Sequence, residues 1–298
     1  MHLKKQVILA PHTYFKLGGP ADYFVEVKTR QELIDAVLYA QNHSLPYFVL
    51  GGGSNILVTD KGYRGLVIKN QTQSLSLSQT GATAASGVPI NRLITYTINH
   101  SLAGLEDFLG LPGTVGGAIY NNSHHLGDLI GNHVSEVELL TQSGEVKIVP
   151  AQDLNFLYDY SRLHVSKEVL LSATFKLVKG NKEELMIKSQ QAVQRRAKTQ
   201  PLGNPSSGCI FKNITLSQAK QINTPNHTLS AGYLIDSSGL KGTRVGGAVV
   251  STIHANFIIN DGTAKSQDVL DLIEIIKVKI KKTYGVDLIE EVFLIGEK

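Results

Sequence analysis

The chain has 298 residues, of which 42% are hydrophobic and 18% are charged. That composition is typical of a globular protein and excludes a disordered, collagen-like or coiled-coil chain, while the length predicts two domains or three small ones. The net charge is only +4 and the basic residues are scattered, so we expect no nucleic-acid partner and favour a small anionic ligand.

The sequence also carries no strong signal for membranes or metals. Apolar runs end well before the ~18 residues that a membrane span needs, and the apolar stretch after Lys5 is too short for a signal peptide. Cys209 is the single cysteine, which excludes an internal disulfide, and the histidines at positions 124, 125 and 133 have no matching set of acids or cysteines. We therefore expect a cytoplasmic protein with no membrane partner and no metal ion.

A small α/β lobe is predicted over residues 21–69. Its helix begins at a capping box, in which Thr29 and Glu32 satisfy each other's backbone N–H groups, and extends to about residue 43. Short strands are predicted at residues 22–27, 46–50 and 65–69.

An α+β lobe is predicted over residues 70–180. Pro89 stands early in an apolar-faced helix, where proline is tolerated, and Ser143-Gly144 fits a hairpin turn. Strands are predicted at residues 75–77, 82–86, 133–141, 144–149 and 168–178. The two lobes together predict an α+β fold.

A domain boundary is predicted at residues 201–208, a stretch rich in Pro, Gly, Asn and Ser that follows a polar helix at residues 182–199. A long helix is predicted at residues 267–283, with Ser266 as its cap and Gly285 as its end.

The C-terminal stretch 288–295 has the pattern of a strand and contains two adjacent acids, Glu290 and Glu291. Neighbouring side chains of a strand point to opposite faces, so we expect one of the two acids to face inward.

Two glycine clusters are the most informative motifs. Residues 50–55 read LGGGSN directly after an apolar strand, and residues 110–118 read GLPGTVGGA. Glycines let the backbone approach a ligand closely and present N–H groups to phosphate oxygens. We favour a dinucleotide held between the two loops, with an ordinary flexible turn as the alternative for each. Neither cluster is a Rossmann or Walker motif, so neither of those mechanisms transfers.

A third group of motifs lies beyond residue 200. Residues 205–213 combine a turn, the only thiol, a cation and an amide, and residues 231–242 and 254–257 are similarly rich in polar groups. A lone cysteine is more often an inert buried residue, but these polar neighbours leave a chemical role for Cys209 equally open.

These motifs resemble, in order and along nearly the whole chain, those of the UDP-N-acetylmuramate dehydrogenase family, also called UDP-N-acetylenolpyruvoylglucosamine reductases. Residues 13–21 are similar to the family's N-terminal flavin segment, residues 50–55 to its LGGGSN loop and residues 110–118 to its GxPGTVGGA stretch. Further segments that match are residues 102–106, 196–201, 205–213, 231–242, 254–257 and 288–296. The chain resembles the shorter subtype of the family.

The resemblance implies a fold of three parts. A two-lobed FAD-binding module of the vanillyl-alcohol oxidase superfamily type would comprise residues 1–69, joined by the returning C-terminal segment 285–298, and residues 70–202. A C-terminal α/β substrate-binding domain would comprise residues 203–284.

The resemblance also implies an oxidoreductase of peptidoglycan precursor synthesis with a tight, noncovalent FAD. NADPH would reduce the flavin, and the flavin hydride would then add to C3 of a nucleotide sugar, UDP-N-acetylglucosamine enolpyruvate. Cys209 would protonate C2, and Glu291 would lie at the substrate carboxylate. The implied FAD-binding residues are Gly18, Gly19, Pro20, Gly51, Gly52, Gly53, Ser54, Asn55, Gly113, Thr114, Gly116, Gly117 and Asn122. The implied substrate-binding residues are Arg196, Lys212, Asn213, Lys241, His254 and Asn256.

The chain departs from the family pattern at three places. The family's YRxS stretch has Asp159 where an arginine is expected, residues 122–127 read NSHHLG rather than NAGAYG, and Phe293 stands where an arginine often follows Glu-Val. We expect Arg162, three residues after Asp159, to supply the missing cation beside the flavin. A surface arginine is the alternative.

Two other functions compete with the reductase. A flavin oxidase of the same superfamily would react rapidly with oxygen and ignore the enolpyruvyl substrate. A non-catalytic nucleotide-sugar-binding protein would keep the fold without turnover. Asp159 at the family's arginine position leaves that alternative open.

Overall fold

The computed structural model describes residues 1–297, which form two compact units. The first unit comprises Met1–Gln6, Asp22–Gly52 and Gly65–Arg196. The second unit comprises Val7–Ala21, Gly53–Arg64 and Ala197–Lys298. Each unit is therefore assembled from segments that are distant in sequence.

Helices and strands alternate irregularly, and this mixture confirms the predicted α+β class. The helices are α1 (Arg30–Asn42), α2 (Ile90–Asn99), α3 (Val115–Tyr120), α4 (Leu163–Ser166), α5 (Lys182–Thr199), α6 (Leu216–Gln221), α7 (Ala231–Ser237) and α8 (Ser266–Tyr284). The strands are β1 (Lys4–Ile8), β2 (Pro20–Val27), β3 (Tyr47–Leu50), β4 (Ile56–Val58), β5 (Tyr63–Asn70), β6 (Leu75–Ser78), β7 (Gly81–Ala85), β8 (Leu102–Ala103), β9 (His124–His125), β10 (Asp128–Leu129), β11 (Val134–Leu140), β12 (Val146–Pro150), β13 (Val169–Lys176), β14 (Val178–Lys179), β15 (Arg244–Val245), β16 (Ala248–Val250), β17 (Ile258–Asn260) and β18 (Phe293–Ile295). Among residues 1–297, no helix combines the length and the apolar character needed to cross a membrane.

The larger sheet of the first unit is antiparallel and has the strand order β12-β11-β13-β7-β6. Helices α2 and α3 pack with it around a core that includes Leu93, Ile94 and Phe175, all fully buried. The apolar face of α2 explains this burial, because its core residues recur at the three- and four-residue spacing of a helix. The sheet and the two helices carry the loops of the candidate site.

A second sheet, with the order β1-β2-β5-β3, lies mainly in the first unit, and its β3 and β5 run parallel. Helix α1 begins at the expected capping box, since Thr29 accepts from the N–H of Glu32 and the Glu32 carboxylate accepts from the N–H of Thr29. Strand β3 ends at Leu50, so the fold delivers the first glycine cluster directly from the sheet edge.

The core of the second unit forms around α7, α8 and the antiparallel sheet β15-β16-β17. Helix α8 buries an apolar stripe and ends at Gly285, whose φ of 72° is the left-handed conformation that favours glycine. Phe15, Leu17 and Leu57 complete this core from the first 60 residues. Strand β18 pairs parallel with β4, which ties the C-terminal strand to the same unit.

The compact units differ from the three-part division implied by the resemblance. Residues 7–21 and 53–64 pack with the C-terminal segment, as implied, but also with residues 203–284, and residues 197–202 of the expected second lobe join them. The rest of the two expected lobes forms one unit. The physical reason is the β4–β18 pairing together with the shared core, which hold these segments on the second unit.

Candidate functional site

The two glycine clusters contact each other within the first unit. A Cβ atom added to Gly51 would lie 2.5 Å from Oγ1 of Thr114, and one added to Gly52 would lie 2.6 Å from Cα of Gly113. Lys69 Nζ donates to the Gly51 carbonyl at 2.6 Å and fixes the first loop. Glycine is therefore required here by the approach of one loop to the other.

The second cluster is not only a loop, because its last residues begin helix α3. Thr114 is the N-cap and its hydroxyl accepts from the N–H of Gly117. A Cβ on Gly116 would lie 2.9 Å from the Ser86 carbonyl, whereas Gly117 is exposed and its nearest atom would be 3.8 Å away. The first turn of α3 thus presents open backbone at Gly117.

Apart from Asn122, the other expected flavin-binding residues lie in the second unit. A Cβ on Gly19 would collide with the carbonyl of Asp60, and Gly18 has a φ of 139°. Asn55 connects its loop to the C-terminal segment, since its Nδ2 donates to the Glu291 carbonyl at 3.3 Å and its carbonyl accepts from the Phe293 N–H at 3.1 Å.

The segments that contain Cys209 and Glu291 lie antiparallel to each other in the second unit. The Glu291 N–H donates to the Ile210 carbonyl at 2.7 Å, and the Lys212 N–H donates to the Ile289 carbonyl at 2.9 Å. The fold therefore brings the thiol and the acid to neighbouring backbone positions, although they are 82 residues apart in the sequence.

Asn256 holds this arrangement through its side chain. Its Oδ1 accepts from the Phe211 N–H at 3.0 Å and its Nδ2 donates to the Phe211 carbonyl at 2.7 Å. Its own carbonyl accepts from the Ile210 N–H. Because the amide is buried and used on both sides, the structure favours a positioning role for Asn256 over the expected contact with substrate.

The two adjacent acids have different surroundings. Glu290 is exposed and forms an ion pair with Lys277 of α8 at 3.0 Å. Glu291 is half-buried and follows directly on the backbone pairing with Ile210.

Three expected substrate-binding residues lie around α7. Asn213 Oδ1 accepts from the Ala231 N–H at 3.2 Å, and Lys241 forms an ion pair with Asp236 at 2.6 Å. Burial lowers the pKa of His254, and the charge of Lys241 lowers it further, so this imidazole is neutral at pH 7.

Arg196 belongs to a basic cluster of the first unit and is almost fully buried. Its Cδ would lie 3.2 Å from a Cβ on Gly110, so the second glycine cluster packs on the arginine. Burial lowers the pKa of His125, and the charges of Arg196 and Arg195 lower it further. This clustering of cations fits the expected anionic ligand.

Arg162 does not have the surroundings expected of a catalytic cation. Its Nε and Nη2 each donate to Glu168 at 3.1 Å, and its Nη1 donates to the Asp153 carbonyl at 3.0 Å. Two N–H groups of the guanidinium bond the two oxygens of Glu168, six residues further along the chain, which favours a structural role for Arg162.

Asn122, an expected FAD-binding residue, is also a positioning residue. It is fully buried, its Oδ1 accepts from the Gly131 N–H and its Nδ2 donates to the Leu157 carbonyl. It thereby joins the hairpin β9–β10 to the turn that contains Asp159.

The sequence reasoning missed an ion pair in that turn. Asp159 is 1% exposed and its Oδ1 lies 3.0 Å from Nδ1 of His124. The sequence contained a signal for this pair, because Asp159 and His124 both stand where the family pattern has other residues. Among residues 1–297, no three His, Cys, Asp or Glu side chains are placed to hold a metal ion.

Comparisons with known proteins cover both parts of the chain. A family model described as the UDP-N-acetylenolpyruvoylglucosamine reductase C-terminal domain matches residues 200–295, and a model described as an FAD binding domain matches residues 21–149.

Two curated relatives are UDP-N-acetylenolpyruvoylglucosamine reductases. That of Caldanaerobacter subterraneus subsp. tengcongensis is 38% identical over 96% of this chain and 91% of its own length. That of Halalkalibacterium halodurans is 38% identical over 97% of this chain and 93% of its own length. The crystal structure of UDP-N-acetylenolpyruvylglucosamine reductase from Thermus caldophilus has 32% identity and a TM-score of 0.81, and the match covers 99% of each chain.

Proposed function

Because the chain belongs to the UDP-N-acetylenolpyruvoylglucosamine reductase family, we propose that it reduces UDP-N-acetylglucosamine enolpyruvate to UDP-N-acetylmuramate for peptidoglycan synthesis, with FAD as cofactor and NADPH as hydride donor. The observation that carries the proposal is the antiparallel pairing of the Cys209 and Glu291 segments. It brings the backbones of the two residues that would serve as proton donor and acid to neighbouring positions, and this reaction requires both groups.

The residues present fit an FAD cofactor. Gly51, Gly52, Gly113 and Gly117 expose backbone on loops that contact each other, and Gly117 leaves an open space that a Cβ would fill. These residues lie within the stretch that matches the FAD binding domain. FAD held there would supply the hydride chemistry of the reaction, between NADPH and C3 of the enol ether.

Two residues of the second unit act on the substrate: Glu291 on the charge of its carboxylate and Cys209 on the protonation of C2. Glu291, held by its backbone to Ile210 and Asn55, lies at the substrate carboxylate, where negative charge develops after hydride addition. Cys209 donates the proton from its Sγ to C2. The Asn256 amide bonds both backbone groups of Phe211, two residues after Cys209, and so maintains the position of the thiol.

The remaining polar residues bind the nucleotide sugar. Lys212 and Lys241 supply positive charge that suits a diphosphate, and Asn213 and neutral His254 supply neutral hydrogen-bonding groups. We place the enzyme in the cytoplasm, and a single cysteine in 298 residues fits such a reducing compartment.

Anaerobic mixing of the purified protein, first with NADPH and then with substrate, tests the proposal. We expect a yellow protein that releases FAD on denaturation, bleaches with NADPH and recovers its colour with the enolpyruvyl substrate. Rapid recovery with oxygen and none with substrate would instead indicate an oxidase. A protein that binds FAD but responds to neither reagent would indicate a non-catalytic relative.

A further inference from the structure

The ion pair between His124 and Asp159 holds an imidazole in a fixed orientation. Asp159 is buried, whereas the His124 side chain is 31% exposed. The bond from Nδ1 to the carboxylate fixes the ring and leaves Nε2 on the other side. The hydroxyl of Tyr158, itself exposed, lies 3.5 Å from that Nε2, and its ring packs on the imidazole at 4.6 Å.

The backbone around this pair is left-handed at three residues that are not glycine. Asn122, Leu126 and Asp159 have φ values of 46°, 53° and 49°. Asparagine and aspartate adopt left-handed backbone more readily than other residues, so the strain lies at Leu126, and strain of this kind concentrates at functional sites. Two hydrogen bonds hold the surrounding backbone, from Asn122 Nδ2 to the Leu157 carbonyl and from Ser161 Oγ to the Tyr120 carbonyl.

The pair lies beside the glycine-lined surface. The Ser123 N–H donates to the Ala118 carbonyl at 2.8 Å, which folds the chain back onto the first turn of α3. His124 follows Ser123, and Ala118 follows Gly117, so the backbone of His124 begins one residue after a hydrogen bond to the turn that contains the open backbone proposed to hold FAD.

The carboxylate beside His124 is buried. A buried carboxylate needs a cation or hydrogen-bond donors to keep its charge, and Nδ1 of His124 lies at the distance of such a partner. The Tyr158 hydroxyl lies near the ring, and His125 is the next residue along the chain. Burial lowers the pKa of His125, and the charges of Arg196 and Arg195 lower it further, so this neighbouring ring adds no positive charge beside the pair.

We propose that protonated His124, oriented by Asp159, faces the bound flavin and stabilises the negative charge that the flavin gains on reduction. The inference rests on the proposed function for the presence of FAD. Hydride addition brings two electrons and one proton to the neutral ring, which leaves the reduced flavin with one negative charge. A fixed imidazolium stabilises that form relative to the oxidised one.

The test is the midpoint potential and visible spectrum of the FAD-loaded protein in four variants. His124→Gln removes the charge and Asp159→Asn removes the partner, while His124→Lys keeps a cation. His133→Gln is the matched control, because His133 is also half-buried and its Nε2 also lies against a carboxylate, that of Asp128, at 2.6 Å.

We expect His124→Gln to weaken binding of reduced FAD relative to oxidised FAD by about tenfold, which for two electrons lowers the potential by about 30 mV. His124→Lys should restore most of it. The potential falls as pH rises in wild type because reduction adds a proton, and Asp159→Asn should make it fall more steeply than wild type between pH 6 and 8. Equal potentials and spectra in His124→Gln, His133→Gln and wild type would overturn the inference. A shifted potential in a protein that ignores the enolpyruvyl substrate would overturn only the proposed function, and failure to bind FAD would overturn both.

Discussion

Glu290 and Glu291 illustrate how the fold separates two identical side chains. Lys277 of α8 holds Glu290 at the surface, while Glu291 is half-buried on a backbone that is bonded to Ile210. The sequence predicted that one acid faces inward, and the resemblance selected Glu291. Its catalytic role remains a proposal.

Replacing Glu291 by Gln should spare flavin reduction by NADPH and slow flavin reoxidation by substrate about 10²- to 10⁴-fold, the range for one acid–base group. Stopped-flow measurement of the two half-reactions checks this. Glu290→Gln is the control and should behave like wild type. A larger defect in that control would mean that the other acid faces the substrate.

Cys209 tests the proton-transfer step. An ordinary thiol keeps its proton at neutral pH, which suits a donor, and a hydroxyl at the same position can also donate. Cys209→Ser should therefore remain active, whereas Cys209→Ala should reduce normally with NADPH and reoxidise slowly with substrate. Wild-type turnover by Cys209→Ala would leave water or another group as the acid.

For Arg162 we expect a stability effect in place of the kinetic effect that the sequence suggested. Arg162→Lys loses the two-point bond to Glu168 and should cost about 1 kcal/mol, or a few degrees in the unfolding temperature, with unchanged half-reactions. Arg30→Lys is matched, since Arg30 makes the same bond to Glu138 but is more exposed, so its loss should be smaller. Slower reoxidation in Arg162→Lys alone would restore the catalytic interpretation.

At the scale of elements, long regular segments were predictable and short irregular ones were not. The capping box of Thr29 and Glu32 located α1, and helix α5 has the predicted bounds of 182 and 199. Helix α3 was missed because its second and third residues are glycines, which disfavour helix by intrinsic propensity, and Gly116 is required here by its packing on Ser86.

The candidate site was predictable in its residue types more than in their roles. Asn122 and Asn256 were expected to face ligands, yet both amides bond backbone groups of neighbouring segments. An amide suits either partner equally, so the sequence contains no signal that separates the two. Asp159 contacts His124, which lies 35 residues earlier in the sequence, and no local pattern encodes such a contact.

The two glycine loops give a prediction at this scale. Gly52→Ala should lower both the unfolding temperature and the FAD content, because its Cβ would press on Gly113. Gly117→Ala should keep the protein's own packing but weaken FAD binding, since only a ligand fills that space. Thermal unfolding and flavin content measured together separate the two effects. Full FAD content in Gly117→Ala would place the cofactor elsewhere.

At the scale of the whole molecule, His254 contributes to the dependence of stability on pH. Burial holds the pKa of His254 below its ordinary value of about 6.5, so below that pH the unfolded chain takes up the proton first. Its contribution to stability is complete above pH 6.5 and is lost as pH falls toward the lower folded pKa. His254→Gln should therefore reduce the drop in unfolding temperature between pH 7.5 and 5.5. Exposed His227→Gln is the control, and equal drops in both variants would contradict the assignment.

The assembly of the second unit from three stretches has a consequence for biosynthesis. Phe15, Leu17, Leu57 and strand β4 emerge from the ribosome well over a hundred residues before the helices that they pack against. Their apolar surface therefore stays exposed until those helices have been synthesised, and nascent chains rely on chaperones during that period. It also follows that residues 200–295, cut out as a contiguous fragment, would lack part of their own core and the partner of β18. The gene cannot be divided at that boundary without dividing a core.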